Sequence, residues 1–184
     1  MAAVSAMQWL NLPPAWTINA NGVLVTTAPQ TDFWRVTHYG FTRDSGHFYY
    51  QTVAGDFTVR ARIIGQYKDL YDQAGLMIRQ DERNWIKCGI EYVQGIQHAS
   101  AVITREFSDW SVTPLQQNPP AIWLQIRREG GAVEVQYSLD GAGFTLLRLG
   151  YLSETESLQV GLMCASPEGS GFPVEFRDFR VIQA

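Results

Sequence analysis

Basic residues are in short supply. Fourteen lysines and arginines are set against 18 aspartates and glutamates, giving a formal net charge of -4, so no positive field is available to attract a nucleic-acid backbone. Cysteine is scarcer still, with two in 184 residues. Cys88 falls on the apolar face of its segment, so buried, reduced thiols are expected rather than a disulfide. Long apolar runs are missing too. The opening MAAVSAMQWLNLPPAW has neither the basic start nor the unbroken hydrophobic stretch of a secretory signal, and no later segment is long enough for a membrane-spanning helix. These absences make a cytoplasmic location, and no membrane partner, the expectation. No Ser-His-Asp order, phosphate loop, CxxC pair or HExxH occurs, so nucleophile, nucleotide and zinc chemistry lack support and no cofactor is expected. His47, following Gly46 in a turn-like DSGHF, could reach a site but has no clustered partners to make a metal centre.

Helical spacing is also nearly absent, and what replaces it is short alternation. DFTVRARI sends Phe57, Val59, Ala61 and Ile63 one way and Thr58, Arg60 and Arg62 the other. ASAVIT, AIWLQIRR, AVEVQYS, FTLLRL, SLQVGLM and PVEFRDFRVI are further strand candidates, with EGG, LDGAG and SPEGSG as turns between them. Sixteen glycines and 12% aromatic residues fit the same class. Ten or more strands cannot stay one flat sheet, which leaves two packed antiparallel sheets or a closed barrel; the sandwich is preferred, as one domain over residues 1–184. The stretch from Thr104 to Ala121 lacks alternation and reads as a functional or edge-covering loop. Trp9 to Trp16 reads as a loop and first edge strand.

The densest segment is YDQAGLMIRQDERNWIKCGIEY, Tyr71 to Tyr92. It predicts a hairpin turning at Gln80 to Asn84. Ala74, Leu76, Ile78, Ile86, Cys88 and Ile90 then share a core face, while Gln73, Gly75, Met77, Arg79, Trp85, Lys87, Gly89 and Glu91 share the other. In that register Gly75 faces Gly89, Met77 faces Lys87, Arg79 faces Trp85 and Gln73 faces Glu91. Paired glycines would leave a side-chain-free floor on which a ligand could lie, rimmed by an amide, an acid, an ammonium and a guanidinium. Such a rim suits a polyhydroxylated or zwitterionic small molecule. Trp34 and Trp110 could supply stacking surfaces, with Arg35, Ser108 and Asp109 hydrogen-bonding nearby. Plainer readings stand beside each of these: glycine as a bulge or bend, Lys87 and Glu91 as an exposed pair, the tryptophans as core or loop plugs. Asp72 has core-face parity and is expected to be a buried carboxylate satisfied by backbone amides.

TDFWR (Thr31 to Arg35), GHF (Gly46 to Phe48), YDQAGLMIR, WIKCGIEY and SDWSV (Ser108 to Val112), in this order, resemble the domain-of-unknown-function family 1349. The resemblance runs from NLPPAW at Asn11 to SPEGSGF at Ser166 to Phe172. It implies the two-sheet jelly roll of concanavalin A-like lectins and glucanases, with a site on the concave sheet, and it implies no reaction. Glucanases of this fold place two acids at alternate positions of one strand, whereas Glu91 is flanked by Gly89, Lys87, Val93 and Gly95. The expected function is therefore non-catalytic binding of a small carbohydrate or related metabolite. The alternatives are a protein-interaction module regulating carbohydrate metabolism, or an enzyme using Glu91 with Lys87 or with an acid such as Asp109 or Asp72.

Overall fold

A computed structural model of the protein describes residues 6–183. These residues form strands β1 (Gln8–Leu10), β2 (Ala15–Asn19), β3 (Gly22–Thr26), β4 (Phe33–Arg35), β5 (Thr42–Asp44), β6 (His47–Ala54), β7 (Phe57–Gly65) and β8 (Gln73–Arg79). They continue with β9 (Asn84–Val93), β10 (Ile96–Arg105), β11 (Phe107–Pro114), β12 (Ile122–Glu129), β13 (Ala132–Ser138), β14 (Thr145–Tyr151), β15 (Ser157–Ala165) and β16 (Pro173–Gln183). A front sheet runs β1-β6-β15-β8-β9-β10-β11 and a back sheet β14-β13-β12-β7-β16-β3-β2. The architecture is an all-β jelly-roll sandwich.

Alternation decides what lies between the sheets. Val59, Ala61 and Ile63 of β7 and Leu124 and Ile126 of β12 meet Leu76, Ile78, Ile86, Cys88, Ile90 and Leu162 of the front sheet in one continuous core. Both thiols, of Cys88 and Cys164, are free and buried, and burial pushes that of Cys88 up to about 12. No helix among the described residues is long and apolar enough to cross a membrane.

Two expectations need correction. Most of the segment from Thr104 to Ala121 is not loop: β10 runs to Arg105, Glu106 turns the chain at φ 63°, and β11 forms the edge of the front sheet. Its alternation is blurred because an edge strand is largely exposed on both faces, and only the residues after Pro114 lack strand structure. The amino-terminal segment makes two edge strands, β1 on the front sheet and β2 on the back, so it crosses from one layer to the other.

Across the outer face of the front sheet lies a third, small layer: β4 and β5, a hairpin paired Phe33 to Asp44 and Arg35 to Thr42. Phe33 and Trp34 press onto Phe48, Met77, Trp85, Val102 and Met163 in a second apolar cluster. Arg79 pins the hairpin, donating to both oxygens of Asp44 at 2.6 and 2.8 Å.

Candidate functional site

β8 and β9 pair in the register the alternation predicts, with Gln73 opposite Glu91, Gly75 opposite Gly89, Met77 opposite Lys87 and Arg79 opposite Trp85. The bare floor, however, is not there. A Cβ on Gly75 would come within 1.8 Å of the Cys88 carbonyl oxygen, and one on Gly89 within 2.1 Å of that of Ala74. The glycines allow two backbones to approach each other, and that is their reason in this sheet. Beyond them the Met77 and Trp85 half of the face is filled with the hydrocarbon of the β4–β5 layer. The open half is at the Gln73 and Glu91 end.

There a cleft of about 90 Å³ has a polar floor of Asp32, Gln73, Lys87 and Glu91. The Lys87 ammonium donates to Gln73 Oε1 at 2.6 Å, the Phe33 carbonyl at 2.7 Å and Asp32 Oδ1 at 3.3 Å, which engages all three of its protons. Gln73 Nε2 donates in turn to Asp32 Oδ1 and the Tyr71 carbonyl. A buried lysine is tolerable only with such partners. Glu91 is held through one oxygen: Oε2 accepts from Ser100 Oγ at 2.7 Å and Trp110 Nε1 at 2.8 Å. Its other oxygen, Oε1, takes no hydrogen bond among the described residues, although the residue is only 8% exposed. Burial pushes the Glu91 carboxyl up from its ordinary range, against the pull of Lys87, Ser100 and Trp110.

The walls are aromatic. Trp34, Tyr39, Phe41, Tyr71 and Trp110 line the cleft, with Arg43, Pro167 and Glu168 at its rim. Tyr39 and Phe41 sit in the β4–β5 loop, stacked at 5.4 Å, and Tyr39 meets Trp34 edge-on at 5.6 Å. Three residues of this loop have left-handed backbone: Val36 (φ 59°), His38 (φ 66°) and Gly40 (φ 74°). For a β-branched valine this is strained, and the Val36 N–H to Phe41 carbonyl bond of 2.7 Å closes the loop around it. Tyr71, at φ 66°, turns its ring edge-on to Trp110 at 6.3 Å and hydrogen-bonds Tyr39, which with burial pushes its hydroxyl up to about 12.

Of the residues singled out from sequence, Trp34, Gln73, Lys87, Glu91 and Trp110 converge on the cleft. The others do not. Gly75 and Gly89 are pressed against each other's strand, and Arg79 is committed to Asp44. Arg35 braces β4 against the turn before β11, its amide donating to Ser108 Oγ and its side chain to the Glu106 carbonyl. His47 is buried elsewhere, Nε2 accepting from the Ala28 amide and Nδ1 donating to the Asn11 carbonyl. Asp109 is exposed and pairs with Arg148 at 2.8 Å, so it offers Glu91 no second acid. Asp72 is fully buried and bound by the amides of Lys68 and Asp69 and by Ser166 Oγ, the structural role expected of it. Asp32, Tyr39, Phe41, Tyr71 and Ser100 were not singled out by alternation. Asp32 lies two residues before Trp34 in TDFWR, and Tyr71 just before Asp72, but neither belongs to a strand whose parity could place it.

A family model described as "Protein of unknown function (DUF1349)" matches residues 9–184. "Regulation of enolase protein 1" of Saccharomyces cerevisiae is 40% identical over 171 residues, covering 93% of this chain and 86% of that protein. A crystal structure of a functionally unknown protein from Saccharomyces cerevisiae superposes with a TM-score of 0.93 at 39% identity, covering 97% and 96% of the two chains. The carbohydrate-binding module CBM66 of Bacillus subtilis shares the fold, with a TM-score of 0.63 at 13% identity over 100% of this chain and 99% of that one. On the extent of these matches, the chain belongs to the family of proteins of unknown function DUF1349.

Proposed function

We propose that the cleft binds the terminal ring of a small carbohydrate, or a comparable polyhydroxylated metabolite, without transforming it. Glu91 Oε1 is a carboxylate oxygen without a protein donor among the described residues, in an aromatic-walled cleft, and this supports the reading. A pair of hydroxyls would supply the missing donors, while the apolar face of a ring would lie against Trp110 or Tyr39. The volume, far below the roughly 300–1,000 Å³ of a drug-sized pocket, suits one edge of a sugar ring. Binding is favoured over turnover because Lys87 keeps no free proton or lone pair for chemistry, Asp72 and Asp109 have partners of their own, and of the other acids of the cleft Asp32 is tied through Oδ1 to Lys87, Gln73 and the Phe33 amide while Glu168 stands at the rim. The likeness of fold to a carbohydrate-binding module agrees with this reading at the level of architecture only.

Calorimetric titration with a panel of monosaccharides and disaccharides is the test. A saturable heat with Kd on the order of 0.1–1 mM is expected for at least one sugar, and Glu91→Gln should abolish it. Absence of heat across the panel would end the proposal. A second reading, docking to another protein, is favoured by the name of the 40% identical relative; titration with purified enolase distinguishes the two, because a sugar site predicts no response to the protein.

A further inference from the structure

The outer face of the back sheet carries a different arrangement. β7 and β16 set Arg62 opposite Arg177 and Arg60 opposite Arg180. Arg60 and Arg62 are two residues apart and share a face as a matter of course. Arg177 and Arg180 are three apart, and in a regular strand they would point to opposite faces. A bulge between them, with Asp178 at φ 54°, supplies one extra residue and turns both outward. Phe176 and Val181 stay inward on either side, opposite Ile63 and Val59. Four arginine side chains therefore rise from one square of sheet positions, where like charges on directly opposed residues work against the fold.

Two acids stand against these four cations. Arg177 is paired with Glu175 through two bonds of 2.8 and 2.9 Å, and Asp178 is the other acid at the bulge. Among the described residues Arg60, Arg62 and Arg180 form no ion pair. Two of the four are instead fixed over rings: Arg60 Cζ lies 5.0 Å from the Trp123 centroid and 4.3 Å from that of Phe144, and Arg62 Cζ 5.9 Å from Trp123. Arg60 also donates to the Gly141 carbonyl. The Nε atoms of both are buried without an acceptor. Burial first, and Arg180 second, push the Arg60 pKa down, as expected for positive charges held together. On a chain of net charge -4 this concentration of cations is local, and its geometry depends on a bulge.

We propose that the square of Arg60, Arg62, Arg177 and Arg180 binds the phosphoryl dianion of a small molecule. Planar guanidinium groups match the oxygens of a phosphoryl group, and the aromatic planes fix those of Arg60 and Arg62 in place; their terminal nitrogens and those of Arg180 would take the anion, with Arg177 exchanging Glu175 for it. The site lies on the opposite sheet from the cleft and does not depend on it.

Titration of inorganic phosphate, pyrophosphate and glycerol phosphate at fixed ionic strength, on the protein and on Arg180→Gln, tests this. Arg180 is exposed, so its replacement leaves the core intact. Saturable binding of at least one of the three is expected, weakened about tenfold in the variant. Tighter binding of the ester would identify the ligand as a phosphorylated metabolite, and equal binding as free phosphate. Without phosphate, thermal unfolding of the variant should occur at the same or a higher temperature, since a like charge has been removed. A response that follows ionic strength alone, an unchanged affinity in Arg180→Gln, or a lowered unfolding temperature without anion would each overturn the proposal.

Discussion

Glu91 and His47 show how burial turns single residues into pH-dependent elements. His47 is neutral in the fold, because Nε2 must accept from the Ala28 amide, and burial holds its pKa below 6.5. A depressed pKa means that its contribution is present above pH 6.5 and is lost as the pH falls through the folded value. The unfolding temperature should therefore drop between neutral pH and the acid side of 6.5, and His47→Gln should flatten that slope. Glu91 has the opposite sign. Its raised pKa gives a contribution present below 4.5 that is lost as the pH rises through the folded value. Glu91→Gln should thus gain stability relative to the parent as the pH rises above 4.5, even as it removes the site's free acceptor; a difference that does not grow with pH above 4.5 would contradict this. The identities of Gln73, Lys87 and Glu91 were legible in the sequence because parity in one hairpin brings them together. Tyr39, Phe41 and Tyr71 were not, since they stand on irregular backbone whose direction no period records.

At the scale of elements, the β8–β9 register was legible and its meaning was not. Alternation fixes which residues share a face, but it does not say whether a glycine pair is bare to solvent or pressed against a neighbouring backbone. The answer depends on strand spacing and on a third layer. That layer, β4 and β5, consists of two strands of three residues joined by a loop with three left-handed positions, too short and too irregular to leave a hydrophobic period. The close approach makes a prediction of its own. Gly75→Ala would drive a methyl group into the Cys88 carbonyl, and it should destabilise the protein by about 3 kcal/mol in denaturant unfolding. A loss below about 0.5 kcal/mol would mean that the strands can part and that the glycines serve something else.

For the molecule as a whole, the sandwich followed from short alternating runs, and the resemblance to the family anticipated its jelly-roll topology. What neither contained is the difference between its two outer faces. The front sheet is capped by an apolar layer that stops short and leaves a cleft; the back sheet carries arginines aligned by a bulge. Both features arise where regular structure is interrupted, at the left-handed β4–β5 loop and at Asp178, and interruptions are what a period cannot predict. The ligand proposed for the front cleft is held through Glu91 and Trp110. Two-dimensional ¹H–¹⁵N NMR of the six indole N–H groups during a sugar titration tests it most directly. The Trp110 signal, bonded to Glu91, should shift and saturate while those of Trp123 and Trp16 stay in place; a Trp110 signal unmoved by every sugar in the panel would contradict it.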